Sequence, residues 1–537
     1  MTRPLDTPVV IAGGGPVGLT LARVLALRGV RSVLAERNES TTRHPKMDVT
    51  NGRTMELFRR LGMTERMRAA GVPEDHSFDV SWITTLAGHE LTRFRYPSPA
   101  RAREIIRFAN DGSGPREPAL RVSQVVIEPV LKSFLDEDPR VDVRFGWALE
   151  SFAEDADGVD VTLRHSATGE RETLRCAYLA GCDGGGSVVR QQAAIALEGA
   201  ARVANLFMIH FRSQARDLLQ RFGAAWHYQS LHGTLIAQDD REIWTLHVPL
   251  LCEPARFDPS AALRTFAGGD FDFEILVAND WTPHLLLAQS YGAGRVWLAG
   301  DAVHQYIPTG GYGMNTGIGD AFDLGWKLAA MLHGWGGPGL LSSYCAERRP
   351  VGARNREASA RHMAVRFEIA KAMLDGLGPD GLGDDASRAA VGRAIHALGN
   401  AENESFGIEL GYRYDGSPIV CAEAGAAPPL DPLIYVPSTW PGARLPSLFL
   451  ADGRALHDSL GDGFTLLAFG RADAAGLAAA AHSRGVPLDV LRIDEAHGRE
   501  ICERDLVLVR PDQHVAWRGD APAADPLAVI DRARGAA

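Results

Sequence analysis

The chain has 537 residues, 45% of them hydrophobic, and a formal net charge of -11 from 67 acidic and 56 basic residues. That length allows about two to four domains, and the acidic balance disfavours nucleic acid and anionic membrane as partners, because both need clustered Lys and Arg. Six scattered cysteines, with no CxxC and no ligand-like spacing, argue against a metal site and fit reduced thiols in a cytoplasmic protein.

The opening segment MTRPLDTPVVIAGGG runs into a strand without a signal-peptide pattern. No apolar stretch reaches the roughly 18 residues that a spanning helix needs. PVVIA (8–12) is a β-branched run of the kind a buried parallel strand requires. Gly13, Gly15 and Gly18 then match G-x-G-x-x-G, with Pro16 and Val17 between them. A helical pattern, LTLARVLALRG, and a second strand, RSVLAER, follow and end at Glu36 and Arg37.

This strand–turn–helix–strand unit puts a tight turn, a close backbone approach and a helix N-terminus at one place, which suits a pyrophosphate. Glu36 is placed to accept from a ribose hydroxyl and would repel a 2′-phosphate. Arg37 suits either a phosphate or solvent. From this run alone the ligand is NAD or FAD, and a purely structural turn is the bland alternative.

Near residue 300 a second glycine-rich run, RVWLAGDAVHQYIPTGGYGMNTGIGD, begins as an apolar strand that ends at Gly300-Asp301. A carboxylate there can hold a sugar hydroxyl of an extended cofactor. Pro308, Gly310, Gly311, Gly313, Met314 and Asn315 follow, exposing consecutive backbone N–H groups to a flat ring system. The segment DAFDLGWKLAAML resumes as an amphipathic helix. His304 reads equally as a cleft residue or a satisfied histidine at a helix start.

Three motifs in this order resemble the single-component FAD-dependent aromatic hydroxylases, the group of p-hydroxybenzoate, phenol and dichlorophenol hydroxylases. They are the first glycine run with Glu36, the Asp-Gly segment YLAGCDGGGSVVR at Asp183-Gly184, and the Gly-Asp segment at Gly300-Asp301. PKMDVTNGRTMELFRRLG, carrying Arg53, and LRVSQVVIEPVL, carrying Arg121, Gln124 and Glu128, resemble further segments of the family near the cofactor.

The resemblance implies an α/β fold: a Rossmann-like FAD-binding domain from residues 1–80, 100–195 and 290–400, and an inserted β-sheet substrate domain from 80–100 and 195–290. A linker (401–434) and a thioredoxin-like C-terminal domain (435–537) would complete it. The tail lacks CxxC after LLAFG, where RADAAG stands, so its expected role is structural, as a homodimer contact.

It also implies the chemistry. NADH or NADPH reduces FAD, and a flavin C4a-hydroperoxide delivers one oxygen of O2 to a phenolic or polyketide-derived aromatic ring, so that no metal or protein nucleophile is needed. A flavin-dependent reductase and a Baeyer–Villiger oxygenase on the same scaffold are the alternatives. Because a phenol reacts better as phenolate, a base near its hydroxyl helps. His227, Tyr228, His232 and His247 are candidates, although His and Tyr also serve as packing residues on a half-buried sheet.

Overall fold

The computed structural model describes residues 3–378 and 381–537 of a mixed α/β protein. Its first unit is β1 (Thr7–Ala12), α1 (Pro16–Leu27) and β2 (Ser32–Glu36). Pro16 starts α1 at a position where its missing N–H costs nothing. After the helix α2 (Gly52–Arg60) come the strands β3 (Val80–Ile83) and β4 (Glu90–Phe94) and the helix α3 (Gln124–Asp136). Four strands follow: β5 (Val141–Phe145), β6 (Trp147–Glu154), β7 (Val159–His165) and β8 (Arg171–Gly181).

The strands β9 (Leu206–Arg212), β10 (His227–Ser230), β11 (Gly233–Ala237) and β12 (Ile243–Pro249) precede the helix α4 (Pro259–Ala267) and the strand β13 (Glu274–Trp281). The strands β14 (Gly292–Ala293) and β15 (Val296–Leu298) lead to α5 (Tyr312–Leu332), α6 (Leu340–Leu377) and α7 (Asp385–Leu398).

The first sheet runs β14-β15-β8-β1-β2-β5, with β6 and β7 added as a hairpin beside β8. The pairs of β1 with β2 and β8, of β8 with β15 and of β2 with β5 are all parallel. The strand β8 therefore has neighbours drawn from both halves of the chain. This register brings Ala12, Gly181 and Leu298 to the same level, so the three glycine-rich turns leave the sheet side by side. α1 and α5 pack closely against each other, because Gly325 has no Cβ to overlap Val24.

The second sheet runs β13-β9-β12-β11-β10-β3-β4. Alternation gives it two different faces. Phe207, Ile209, Phe211, Leu235, Trp244 and Leu246 pack with Leu263 and Phe266 of α4. The other face carries His210, His227, Thr245 and His247. Over one end of that face lie Ile369 and Met373 of α6 and Val391 and Ile395 of α7.

The C-terminal residues form a four-stranded sheet of β16 (Phe464–Phe469), β17 (Leu488–Ile493), β18 (Leu506–Val509) and β19 (Val515–Gly519), in the order β17-β16-β18-β19. It docks through buried charge. Arg510 bonds Glu347 at 2.5 and 2.9 Å, and Lys327 bonds Asp323 at 2.8 Å and Glu347 at 2.5 Å. Removing one member would leave a buried charge uncompensated, which is far more costly than the pair is favourable.

Candidate active site

The first glycine turn shows a different constraint at each glycine. Gly13 has φ 109°, and a Cβ there would overlap the Cys182 carbonyl. A Cβ on Gly18 would overlap the Gly13 carbonyl, so helix and turn can meet only if it is absent. Around Gly15, by contrast, a Cβ would meet nothing within 4 Å. Gly15 is the N-cap of α1 and offers no side chain to that helix end. Open space before uncapped N–H groups is what a phosphate occupies.

Glu36 accepts from the Gly14 N–H at 2.7 Å and from the Asn38 N–H at 2.9 Å, which fixes its carboxylate beside the turn. Arg37 is exposed, and Val17 packs under Gly300. Asp183 spends its carboxylate on the Val188 and Val189 N–H groups, at 2.7 and 3.1 Å, and on Ser187. Arg190, in the short helix Val188–Gln192, donates to the Ala302 carbonyl at 3.0 Å and so ties the Asp-Gly segment to the Gly-Asp turn.

That turn is held from below. Gly300 has φ 66°, and its N–H donates to Asp320 at 3.2 Å. Asp320 also pairs with His304 at 2.9 Å and with Arg348 at 2.8 Å. His304 is thus a buried part of the support. Asp301, the next residue, is exposed and has no hydrogen-bond partner among the described residues. Surrounding protein raises its pKa by desolvation, against the pull of His304 and Lys46, so the carboxylate is accessible yet sits in a concavity.

Pro308 is exposed, and Gly310 and Gly311 have φ 86° and 64°. A Cβ on Gly313 would meet nothing within 4 Å, and Met314 is half-buried. Asn315 accepts from the Asn51 N–H at 3.0 Å and donates to the Gly311 carbonyl at 2.7 Å. α5 also starts without a side-chain cap. The orphaned Asp301 carboxylate, the cradle at Gly15 and two uncapped helix starts fit a long cofactor with a pyrophosphate and a polyol chain.

Three polar residues expected near the cofactor hydrogen-bond to protein groups. Arg53 donates to Gln513 at 2.5 Å and to the Asp512 carbonyl at 2.7 Å. Arg121 forms a buried pair with Asp240 at 2.7 Å and donates to the Ala237 carbonyl at 2.7 Å, which ties the segment before α3 to the second sheet. Gln124 donates to Glu128 at 2.6 Å.

Of the four base candidates, Tyr228 lies on the opposite face from His227. Its ring is in the core against α4 and its hydroxyl donates to the Gly223 carbonyl, because adjacent strand residues alternate faces. His232 is exposed in the turn after β10. The reading of Tyr228 and His232 as cleft residues is corrected accordingly. His227 and His247 lie on the polar face.

His227 pairs through Nε2 with Asp48 at 3.2 Å, and Trp226 donates to the same oxygen at 2.7 Å. Burial opposes the charge on Asp48, but these hydrogen bonds outweigh it and hold its pKa below the usual carboxylate range. The other ring nitrogen of His227, Nδ1, is buried and has no hydrogen-bond partner among the described residues. Burial pushes the His247 pKa down to about 4, so that ring is neutral at pH 7.

Sequence reasoning missed Asp48 and a second pair, Arg366 and Glu402. The only signal for Asp48 was its place next to Val49, which packs under Gly311.

Residues 6–359 match the family model described as FAD binding domain, and residues 438–537 match the one described as aromatic-ring hydroxylase, C-terminal. Among curated relatives, the FAD-dependent monooxygenase apdD of Emericella nidulans is 39% identical over 96% of this chain and 87% of its own. The phenol 2-monooxygenase of a Pseudomonas species is 30% identical over 98% of this chain and 92% of its own. Among solved structures, the rebeccamycin biosynthetic enzyme RebC with reduced flavin shares 36% identity over all of both chains, with a TM-score of 0.89. The flavin-dependent monooxygenase PieE, in complex with FAD and substrate, shares 31% identity over 99% of each chain, with a TM-score of 0.88.

Proposed function

The chain belongs to the FAD-dependent aromatic-ring hydroxylases, and from that premise we propose that it hydroxylates a phenolic or polyketide-derived ring in the cleft between its two sheets. It is an FAD-dependent monooxygenase, with NAD(P)H as the co-substrate general to the family. One observation carries the assignment of the cleft. The open Gly15 turn and the accessible Asp301 carboxylate leave the same end of the first sheet, from β1 and β15 on either side of β8, as the two ends of one extended cofactor require.

When bound, reduced flavin activates O2 so that one oxygen atom passes to the ring and the other leaves as water. The protein's part begins with binding. The backbone at Gly15 and the first turn of α1 take the pyrophosphate, Glu36 takes the ribose and Asp301 takes the polyol hydroxyls. The run from Pro308 to Asn315 faces the ring system. Gly311, Gly313, Met314 and Asn315 set how closely that ring approaches α5, whose uncapped N-terminus favours negative charge.

Asp48 stays ionised and holds Nε2–H of His227. Nδ1 is then the free acceptor, able to take the proton of a phenolic hydroxyl as the ring becomes electron-rich. His247, neutral at working pH, adds polarity without charge. The seven-stranded sheet is the substrate domain in this reading, and the four-stranded C-terminal sheet is a thioredoxin-like unit with a structural role.

Six free cysteines fit a reducing compartment such as the cytoplasm. No helix among the described residues is long and apolar enough to cross a membrane.

The test is to load the purified protein with FAD and follow NADH and NADPH oxidation, O2 uptake and product mass together, with phenols, hydroxybenzoates and polycyclic polyketides. A ligand-stimulated oxidation that yields a product heavier by one oxygen is expected. Reduction of a substrate double bond without O2 uptake, or rapid oxidation with no oxygenated product from any ligand, overturns the reading.

A further inference from the structure

Arg366 of α6 lies over the polar face of the second sheet. Its Nη1 donates to Thr234 Oγ1 at 3.1 Å, on β11, which pairs with the strands that carry His227 and His247. The guanidinium is gripped from one side by Glu402, at 2.8 Å from Nε and 2.5 Å from Nη2. This is the fork-on-fork geometry that fixes a guanidinium in orientation as well as charge. The side chain of Arg366 is 25% exposed and that of Glu402 is 8% exposed, and the three printed bonds leave two of the five guanidinium N–H groups for another acceptor.

Its surroundings place it in the cleft. The charge of Arg366 is felt at His247, and that of Glu402 at His362. Tyr312, in the glycine-rich run that starts α5, bonds His362 through its hydroxyl at 2.9 Å. Through Arg366 and His362, α6 therefore contacts both the second sheet and the run assigned to the flavin.

We infer that Arg366, clamped by Glu402, is a specificity-determining residue that receives a neutral carbonyl oxygen of the substrate, on a ring bearing a separate phenolic hydroxyl that faces His227. The inference rests on the cleft being the hydroxylation site. Guanidinium carries five N–H donors and no acceptor, so it selects an acceptor oxygen. Glu402 already neutralises its charge, and a substrate carboxylate would lie beside a fixed like charge. The pair therefore favours a ketone, quinone or amide oxygen over a carboxylate. Asp48 and His227 form the matching pair at the other polar end, so the ligand is read at two points.

Ligand titrations of the FAD-loaded protein, followed by the flavin absorbance change and without NAD(P)H, test this apart from turnover. The probes are phenol, a hydroxyaryl ketone and the corresponding hydroxybenzoate. The wild type is expected to bind the ketone at least tenfold more tightly than either other probe. Arg366→Met should remove that preference and leave phenol binding within twofold, while Arg366→Lys should keep part of it.

Glu402→Gln unmasks the guanidinium and should shift preference towards the hydroxybenzoate by about tenfold, which gives a gain as readout even where Arg366→Met folds poorly. Equal losses for all three probes, or an unchanged ketone-to-carboxylate ratio in Glu402→Gln, overturn the inference. If titration shows the selectivity but no oxygenated product forms, the hydroxylase reading fails and the recognition element stands.

Discussion

Gln513 is held in left-handed backbone, with φ 68°, and its Oε1 accepts a 2.5 Å hydrogen bond from Nη1 of Arg53. Both residues are buried, and Arg53 also donates to the Asp512 carbonyl. The loop between β18 and β19 thus grips α2, whose N-cap Asn51 is bonded to Asn315 in the flavin-facing run. Gln513→Ala removes a hydrogen bond to a buried charge and keeps the backbone strain, so it should cost about 1.5–3 kcal/mol. Gln513→Gly loses the same bond but relieves the strain, and chemical denaturation should find it less damaging than alanine.

The two glycines at the first turn should fail differently. Gly13→Ala places a methyl group on a carbonyl in left-handed backbone, and circular dichroism should report a misfolded or poorly soluble protein. Gly15→Ala meets no protein atom, so the fold should survive. The methyl fills the phosphate cradle, and fluorescence titration should find FAD binding weakened at least tenfold. An intact FAD content in Gly15→Ala would remove the pyrophosphate from that turn.

Asp301→Ala should likewise give a folded protein that elutes from gel filtration with most of its flavin lost. Its carboxylate makes no protein bond to forfeit. Asp301→Asn retains an acceptor for a polyol hydroxyl and should hold more flavin than alanine does.

Glu409 gives a pH signature for stability. It lines a small cavity with Asn51, Arg53 and Asn315, and burial raises its pKa to about 7, against a backbone hydrogen bond from Gly52. A carboxyl whose pKa is higher in the folded state binds more protons there. Its contribution is complete below the unfolded value of about 4.5 and is lost as pH rises through 7. Glu409→Gln, which keeps the shape and an acceptor, should remove this dependence and become the more stable form by pH 8. Thermal unfolding curves between pH 5 and 8 that run parallel for the two proteins would disprove it.

Cys502 should be dispensable for redox chemistry. It is fully buried, burial pushes its thiol up to about 12, and no second cysteine lies at CxxC spacing. Cys502→Ala should retain ligand-stimulated NAD(P)H oxidation, and the wild type should not catalyse insulin disulfide reduction.

The parts of the site legible in the sequence are those that a short run of backbone defines. Gly13, Gly15 and Gly18 announce themselves because each has a separate geometric duty within six residues, and Gly300-Asp301 because a strand ends there. Side chains whose partners lie far along the chain were not legible. Arg53 and Arg121 stand in segments that resemble cofactor-binding ones, yet their partners are 460 and 119 residues away and carry no local pattern. Arg366 and Glu402 sit on helical stretches where a charged residue is ordinary, and only the packing of α6 over the sheet gives them a cleft to face. His227 and Tyr228 could not be separated from composition, because one residue of strand register decides which of them faces the cleft.

The clasp between Arg53 and Gln513 also sets an order of events during synthesis. At elongation rates of about 5–20 residues per second, the 460 residues that separate them take roughly 20–90 s to emerge. Throughout that interval the guanidinium of Arg53 lacks its final partner. A nascent chain can therefore form its nucleotide turn long before it can lock α2, and early flavin capture would hold that half-built edge until the last hairpin leaves the ribosome.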